Sequence, residues 1–345
     1  MPLPLICLMT ALPAAQAPAP ASEAQGVLDA ARAKAKAVGA ARSAFVTAGG
    51  NTKDFKGDCT KELATLEARL AAAQDPALRQ ALLVSTLYHL QLAKTQPSAT
   101  LLAQVRKEVP PTAAAWSLEP GLLSARATAD PAGWGPYVAE ARAKHADPAL
   151  RRALLFDAFL EGLDTGDEPA WKAALQDIRT QFPGPLADRA QSFLDAEAKT
   201  APGLPAPAFS LKALGNPATA HTLESFKGRY LLIDFWATWC PDCRAELPAV
   251  QAAWARFQGK SLDLLSLSFD RRVEHLTAFL QPPATPMPWK HAFVEGGFQS
   301  PVAEAYGVKS IPRMVLVGPD GTIVASGASL RGARLAQTLE KVLGK

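Results

Sequence analysis

The sequence predicts two architectures in one chain: an all-α first half of helical hairpins, then an α/β second half with a mixed central sheet flanked by helices. Up to about residue 200, apolar residues recur at three- and four-residue intervals among Ala, Leu, Arg, Glu and Gln, and no β-branched run is long enough for a strand. Beyond a Pro-rich connector the pattern becomes short strand-like runs alternating with helical ones. The 345 residues are 48% hydrophobic, enough for two modest globular domains, and they exclude a disordered or collagen-like chain.

Residues 1–17 read as a signal peptide. Leu3-Pro-Leu-Ile-Cys-Leu-Met-Thr-Ala-Leu12 is apolar but too short to span a bilayer, and Ala15-Gln16-Ala17 fits an A-x-A processing site. No Lys or Arg precedes Arg32, so the usual positive start is missing, and Ile6 before Cys7 argues against lipid attachment there. The expectation is an exported protein, periplasmic or membrane-associated. Processing would remove Cys7 and leave Cys59, Cys240 and Cys243.

Residues 22–200 read as helices. Asp75-Pro76 and Asp147-Pro148 each place a capping carboxylate before a proline at the first helical position, where the missing N–H does no harm. These starts belong to an internal echo: Asp75-Pro-Ala-Leu-Arg-Gln-Ala-Leu-Leu83 recurs 72 residues later as Asp147-Pro-Ala-Leu-Arg-Arg-Ala-Leu-Leu155. That offset is close to twice the period of a helix-hairpin repeat of the tetratricopeptide kind, so the domain is read as such hairpins. Cys59, His89 and His145 stand isolated, which fits helix-face or loop positions. Two roles stay open for this half: docking a partner, or positioning the second half.

A boundary is expected at the connector 200–207, Thr200-Ala-Pro-Gly-Leu-Pro-Ala-Pro207, which cannot continue a helix. Over 208–345 the expected elements are a strand at 230–236, a helix at about 243–257, a strand at 262–268 and a helix near 273–280. A strand at 314–317 follows, then a turn at Gly318-Pro-Asp-Gly321, a strand at 322–326 and a final helix at about 330–343.

Chemistry concentrates at Asp234-Phe-Trp-Ala-Thr-Trp-Cys240-Pro-Asp-Cys243-Arg-Ala-Glu246-Leu-Pro248, where a buried strand delivers two cysteines to the start of a helix. The unsatisfied N–H groups and dipole of a helix N-terminus stabilise a thiolate, and two intervening residues let the second sulfur reach back to close a disulfide. Cys240 then reads as the exposed nucleophile and Cys243 as the resolving thiol. A zinc knuckle would need two more ligands, and a haem attachment site needs His where Arg244 stands. A structural disulfide gains little from so short a loop. A peroxiredoxin wants Thr or Ser where Ala237 lies. Dithiol–disulfide exchange, without metal or bound cofactor, is the reading that remains.

From about Ala206 to the C-terminus the chain resembles the thioredoxin superfamily, in particular the exported TlpA/ResA-type thiol–disulfide oxidoreductases. The resemblance rests on Phe235-Trp-Ala-Thr-Trp-Cys-Pro-Asp-Cys243, Glu246-Leu-Pro248, Tyr306-Gly-Val-Lys-Ser-Ile-Pro312 and Gly318-Pro-Asp-Gly321. It implies a thioredoxin-like fold for 208–345, and a cis-proline at Pro312 that, with Ile311, offers backbone groups to an extended substrate. Trp239, Pro241, Asp242, Ile311, Pro312 and Arg313 are the implied substrate contacts. The resemblance also implies a buried proton-shuttling acid at Asp234 and a cysteine-tuning glutamate at Glu246. Their rival readings are a strand-end carboxylate reaching solvent and a helix-face glutamate paired with an arginine.

The chain departs from its relatives at two positions. Asp242 puts a negative charge beside the thiolate, opposing the helix-terminus effect and favouring a reductant. Arg313 replaces the small hydroxyl residue usual after the cis-proline, which would place a cation near the docking edge or pair it with Asp242.

The expected function is thiol–disulfide oxidoreduction, reducing disulfides of exported proteins with electrons from an upstream donor such as a membrane thiol reductase. The rivals are a partner-binding adaptor and a disulfide-donating oxidase. Thirty-six basic against 32 acidic residues, a net charge of +4, with no dense basic cluster, exclude nucleic acid as a natural partner.

Overall fold

A computed structural model describes residues 22–48, 55–281 and 287–344. The segment 1–17 read as a signal peptide, and Cys7 with it, lies outside the described residues. Among the described residues no helix is long and apolar enough to cross a membrane.

The first half is helical as expected: α1 (Glu23–Thr47), α2 (Thr60–Ala72), α3 (Pro76–Leu92), α4 (Ala99–Glu108), α5 (Gly121–Ala129), α6 (Pro131–Lys144), α7 (Pro148–Thr165), α8 (Glu168–Gln181) and α9 (Pro185–Ala198). The echoed starts are real caps. Asp75 Oδ1 accepts from Leu78 N at 2.7 Å and Asp147 Oδ1 accepts from Ala149 N at 2.8 Å, each before a proline in the first turn. The echoed leucines Leu82, Leu83, Leu154 and Leu155 are all buried, each worth about 1.5–3 kcal/mol of apolar burial.

By packing, the chain divides after Leu122. In the first compact unit α3 packs against α1, α2 and α4, and Arg79 ties it to α4 through two bonds to Glu108, at 2.7 and 3.1 Å. The second unit holds α6–α9 together with the whole sheet, so the Pro-rich connector 200–207 lies inside it.

The second half is built on β1 (Ser210–Ala213), β2 (Asn216–Thr222), β3 (Tyr230–Trp236), α10 (Pro241–Phe257), β4 (Leu262–Ser268), α11 (Val273–Leu280), β5 (Lys290–Phe293), α12 (Pro301–Ala305), β6 (Arg313–Val317), β7 (Ile323–Ser326) and α13 (Ala333–Leu343). The seven strands form one mixed sheet in the order β2-β1-β5-β4-β3-β6-β7. β3, β4 and β5 run parallel, and the other pairings are antiparallel. β3 lies between β4 and β6, and its apolar run is buried from Leu231 to Trp236 because both sheet faces are covered.

Within the second unit, α9 is fastened to the sheet by polar contacts and one tight approach. Lys199 Nζ donates to the Glu304 carbonyl at 2.9 Å, and the Arg313 guanidinium bonds Glu197 and, at 2.5 Å, Thr200 Oγ1. Arg313 is 6% exposed, so it neither lies on a docking edge nor pairs with Asp242 as its sequence position suggests. The carboxylate and hydroxyl at the end of α9 draw it inward. At Gly307, φ is +62°, and an added methyl would overlap the Ala196 carbonyl on α9. Gly307→Ala combines that overlap with an unfavourable backbone conformation. It should destabilise the protein by about 1–3 kcal/mol, read as a lowered urea midpoint of the full chain.

Candidate active site

The chain leaves β3 through Ala237, Thr238 and Trp239, and that short loop is pinned. Asp270 accepts from Thr238 N at 3.2 Å and from Thr238 Oγ1 at 2.7 Å, and is itself held by the Ser268 hydroxyl at 2.7 Å. The Trp239 indole donates to the Phe269 carbonyl at 3.2 Å while its ring stays 41% exposed. Sequence reasoning missed Asp270; its place just beyond the end of β4 was the available signal.

Cys240 is the N-cap of α10, Pro241 occupies the first helical position, and Cys243 N donates to Cys240 Sγ at 3.1 Å. The two cysteines are joined as a disulfide, with Cα atoms 5.3 Å apart. Cys240 is 4% and Cys243 2% exposed, so the difference in access expected between them is small in this oxidised form. Pro241 and Asp242 are exposed. The Ile311–Pro312 peptide bond is cis, and the Ile311 carbonyl oxygen lies 3.6 Å from Cys240 Sγ. The loop before β6 therefore faces Cys240, and Ile311 and Pro312 flank the disulfide while Arg313 turns away to α9.

Asp234 is 2% exposed, midway along β3. Burial pushes its carboxyl up to about 7; the Ser266 hydroxyl, donating at 3.0 Å, opposes this and the negative charge of Glu246 reinforces it. Ser266 is oriented in turn by the Trp289 indole, which donates to its oxygen at 2.9 Å. The solvent-reaching alternative for Asp234 is thus excluded.

Glu246 is held at both oxygens: Arg331 Nε donates to Oε1 at 3.0 Å and Gly332 N to Oε2 at 2.8 Å. It is the arginine-paired glutamate of the rival reading, and it still sits close enough to Asp234 for their charges to interact. Arg331, absent from every sequence motif, also donates through Nη1 to the Pro312 carbonyl at 3.2 Å.

Residues 202–326 match the AhpC/TSA family. The thiol-disulfide oxidoreductase ResA of Bacillus cereus is 26% identical over 155 residues, 45% of this chain and 84% of that protein. The thioredoxin-like protein YneN of Bacillus subtilis is 35% identical over 79 residues, 23% of this chain and 45% of that protein. Among solved structures, the thioredoxin domain of a thiol-disulfide oxidoreductase from Bacteroides vulgatus is 33% identical; the match covers 41% of this chain and 98% of that one, with a TM-score of 0.37.

A raised Asp234 pKa has a signed effect on stability. Between the unfolded value of 3.8 and the folded value of about 7 the unfolded chain releases a proton that the native protein keeps. Native stability therefore falls as pH rises through that window and levels off above it. Asp234→Asn should remove this dependence from the oxidised protein, a change on the order of 4 kcal/mol across the window, measured by urea titrations at pH 4 to 8. An unchanged pH slope would mean that Asp234 ionises freely in the fold.

Proposed function

We propose, the chain being a thiol–disulfide oxidoreductase of the thioredoxin-like fold, that it works as a reductant of disulfides in exported proteins. The observation that carries this is the juxtaposition of the Cys240–Cys243 pair, the Ile311 carbonyl beside Cys240 Sγ, and a buried acid poised near neutrality. Asp242, exposed in the first turn of α10, adds a negative charge that disfavours the thiolate and so favours the disulfide form of the enzyme. A dithiol that prefers to be oxidised gives up its electrons readily.

In this reading an extended substrate lies along the Ile311–Pro312 edge, with exposed Trp239 beside the sulfurs. The Cys240 thiolate attacks one substrate sulfur, the substrate disulfide breaks, and its other sulfur leaves as a thiolate. Asp234, part-ionised at neutral pH, takes the proton of Cys243. Cys243 then attacks Cys240 Sγ and releases the second substrate thiol. Two electrons have passed to the substrate, and the enzyme is left in the disulfide form of the structure. A dithiol donor, such as a membrane thiol reductase, restores the cycle. Export rests on the apolar segment and A-x-A site within residues 1–17. Arg313 drops out of the substrate contacts in this reading, and Glu246 serves as an anchor.

The full chain should reduce insulin disulfides with dithiothreitol as electron source, and Cys240→Ser should abolish this. Cys243→Ser should leave a peptide disulfide stuck on Cys240 as an adduct that reductant removes. A redox potential above about −180 mV would instead make the chain a disulfide donor.

A further inference from the structure

Arg331 follows the 3₁₀ turn Gly327–Leu330 and precedes α13, and its side chain is only 17% exposed. Its three partners come from three separate parts of the second unit. Nε reaches Glu246 on α10 at 3.0 Å, Nη1 reaches the Pro312 carbonyl at 3.2 Å, and Nη1 lies 3.5 Å from Asp164 Oδ1 at the end of α7. α10 carries both cysteines, and Pro312 belongs to the loop whose Ile311 oxygen touches Cys240 Sγ. One planar group thus links α10 to the loop of the cis-proline.

We propose that Arg331 is the positioning residue of the dithiol site, a guanidinium that fixes the helix bearing Cys240 and Cys243 against the proline loop on which substrate docks. The inference rests on the dithiol-exchange reading above. The fork geometry matters, because the guanidinium carries its donors on separate nitrogens in one rigid plane, whereas an ammonium carries its three on a single rotatable nitrogen. The end of α7 is tied to the same place by Arg334, whose Nη1 donates to the Thr165 carbonyl at 2.6 Å.

Arg331 also carries charge into an acidic surround. Glu246 faces it from α10 and Asp164 from α7, and Asp234 on β3 feels both Glu246 and Arg331. Asp242, Glu197 and Arg313 lie within electrostatic reach of Asp164. Without the guanidinium, Glu246 and Asp234 would face each other unneutralised. Ionising Asp234, and through it deprotonating the thiols, would then need a higher pH. Geometry and charge are therefore separable: Arg331→Gln removes both, and Arg331→Lys keeps the charge alone.

The test compares the full chain with these two variants on a peptide disulfide and on the pH profile of Cys240 alkylation in the reduced protein, with near-ultraviolet circular dichroism as a check on folding. Arg331→Gln should raise KM about tenfold and move the alkylation profile to higher pH. Arg331→Lys should restore the profile and leave KM raised. Parental KM in Arg331→Lys, or a parental profile in a folded Arg331→Gln, overturns the proposal. If Arg331→Gln does not fold, Arg331→Lys decides by its KM. If the unmodified chain fails to reduce the peptide, the dithiol-exchange reading fails separately, and the alkylation profiles alone decide the role of Arg331.

Discussion

Strand β3 is buried along almost its whole length between parallel β4 and antiparallel β6, and the active site inherits its geometry from that burial. Packed on both faces and laddered to a neighbour on each side, the strand is held in one register, so the point where it ends is fixed. From that fixed end the chain has three residues, Ala237 to Trp239, before Cys240 opens α10. Asp270 at the end of neighbouring β4 holds them by two bonds to Thr238. The same burial explains Asp234. A carboxyl in the middle of such a strand has no water to stabilise its charge, and one serine hydroxyl does not replace it.

A second constraint binds the helices of the second unit to the sheet. Arg313 is almost completely buried, and its two terminal nitrogens are bonded from α9 and the start of the connector, while Nε has no hydrogen-bond partner among the described residues. Glu197 keeps partial access to water, which screens the pair, so the contact works as a half-exposed fastening of the buried Arg313. The side chain after the cis-proline thus joins the sheet to α9. Arg331 and Arg334 reach α7 in the same way, so both α7 and α9 are fastened to the sheet-bearing part of the second unit.

Much of this was legible in the sequence, for identifiable reasons. β3, β4 and β6 come from long or strongly apolar runs and lay within a residue or so of their expected bounds, and capping aspartates and prolines announced where α3 and α7 begin. β1, β2 and β5 were missed. Ser210-Leu-Lys-Ala213 and Lys290-His-Ala-Phe293 are short and polar, and they become strands only because a neighbour supplies the ladder. At the site, the cysteines and Pro312 were carried by local motifs. Arg331 was invisible because its importance lies in what folding brings to it, and Asp270 offered only its place just beyond the end of β4. Arg313 was misplaced for the converse reason: sequence position located its backbone beside the site, but its side chain follows Glu197, more than a hundred residues earlier.

The amide of Cys243 points at Cys240 Sγ. The Cys240 sulfur thus caps α10 by accepting from this one N–H, whichever form the sulfur takes. A thiolate is a much stronger acceptor than a disulfide sulfur, so the end of the helix tightens when the dithiol is reduced and loosens when it is spent. The enzyme consequently carries its own redox gauge. The chemical shift and hydrogen-exchange rate of that single amide read out the oxidation state of the site without any added probe.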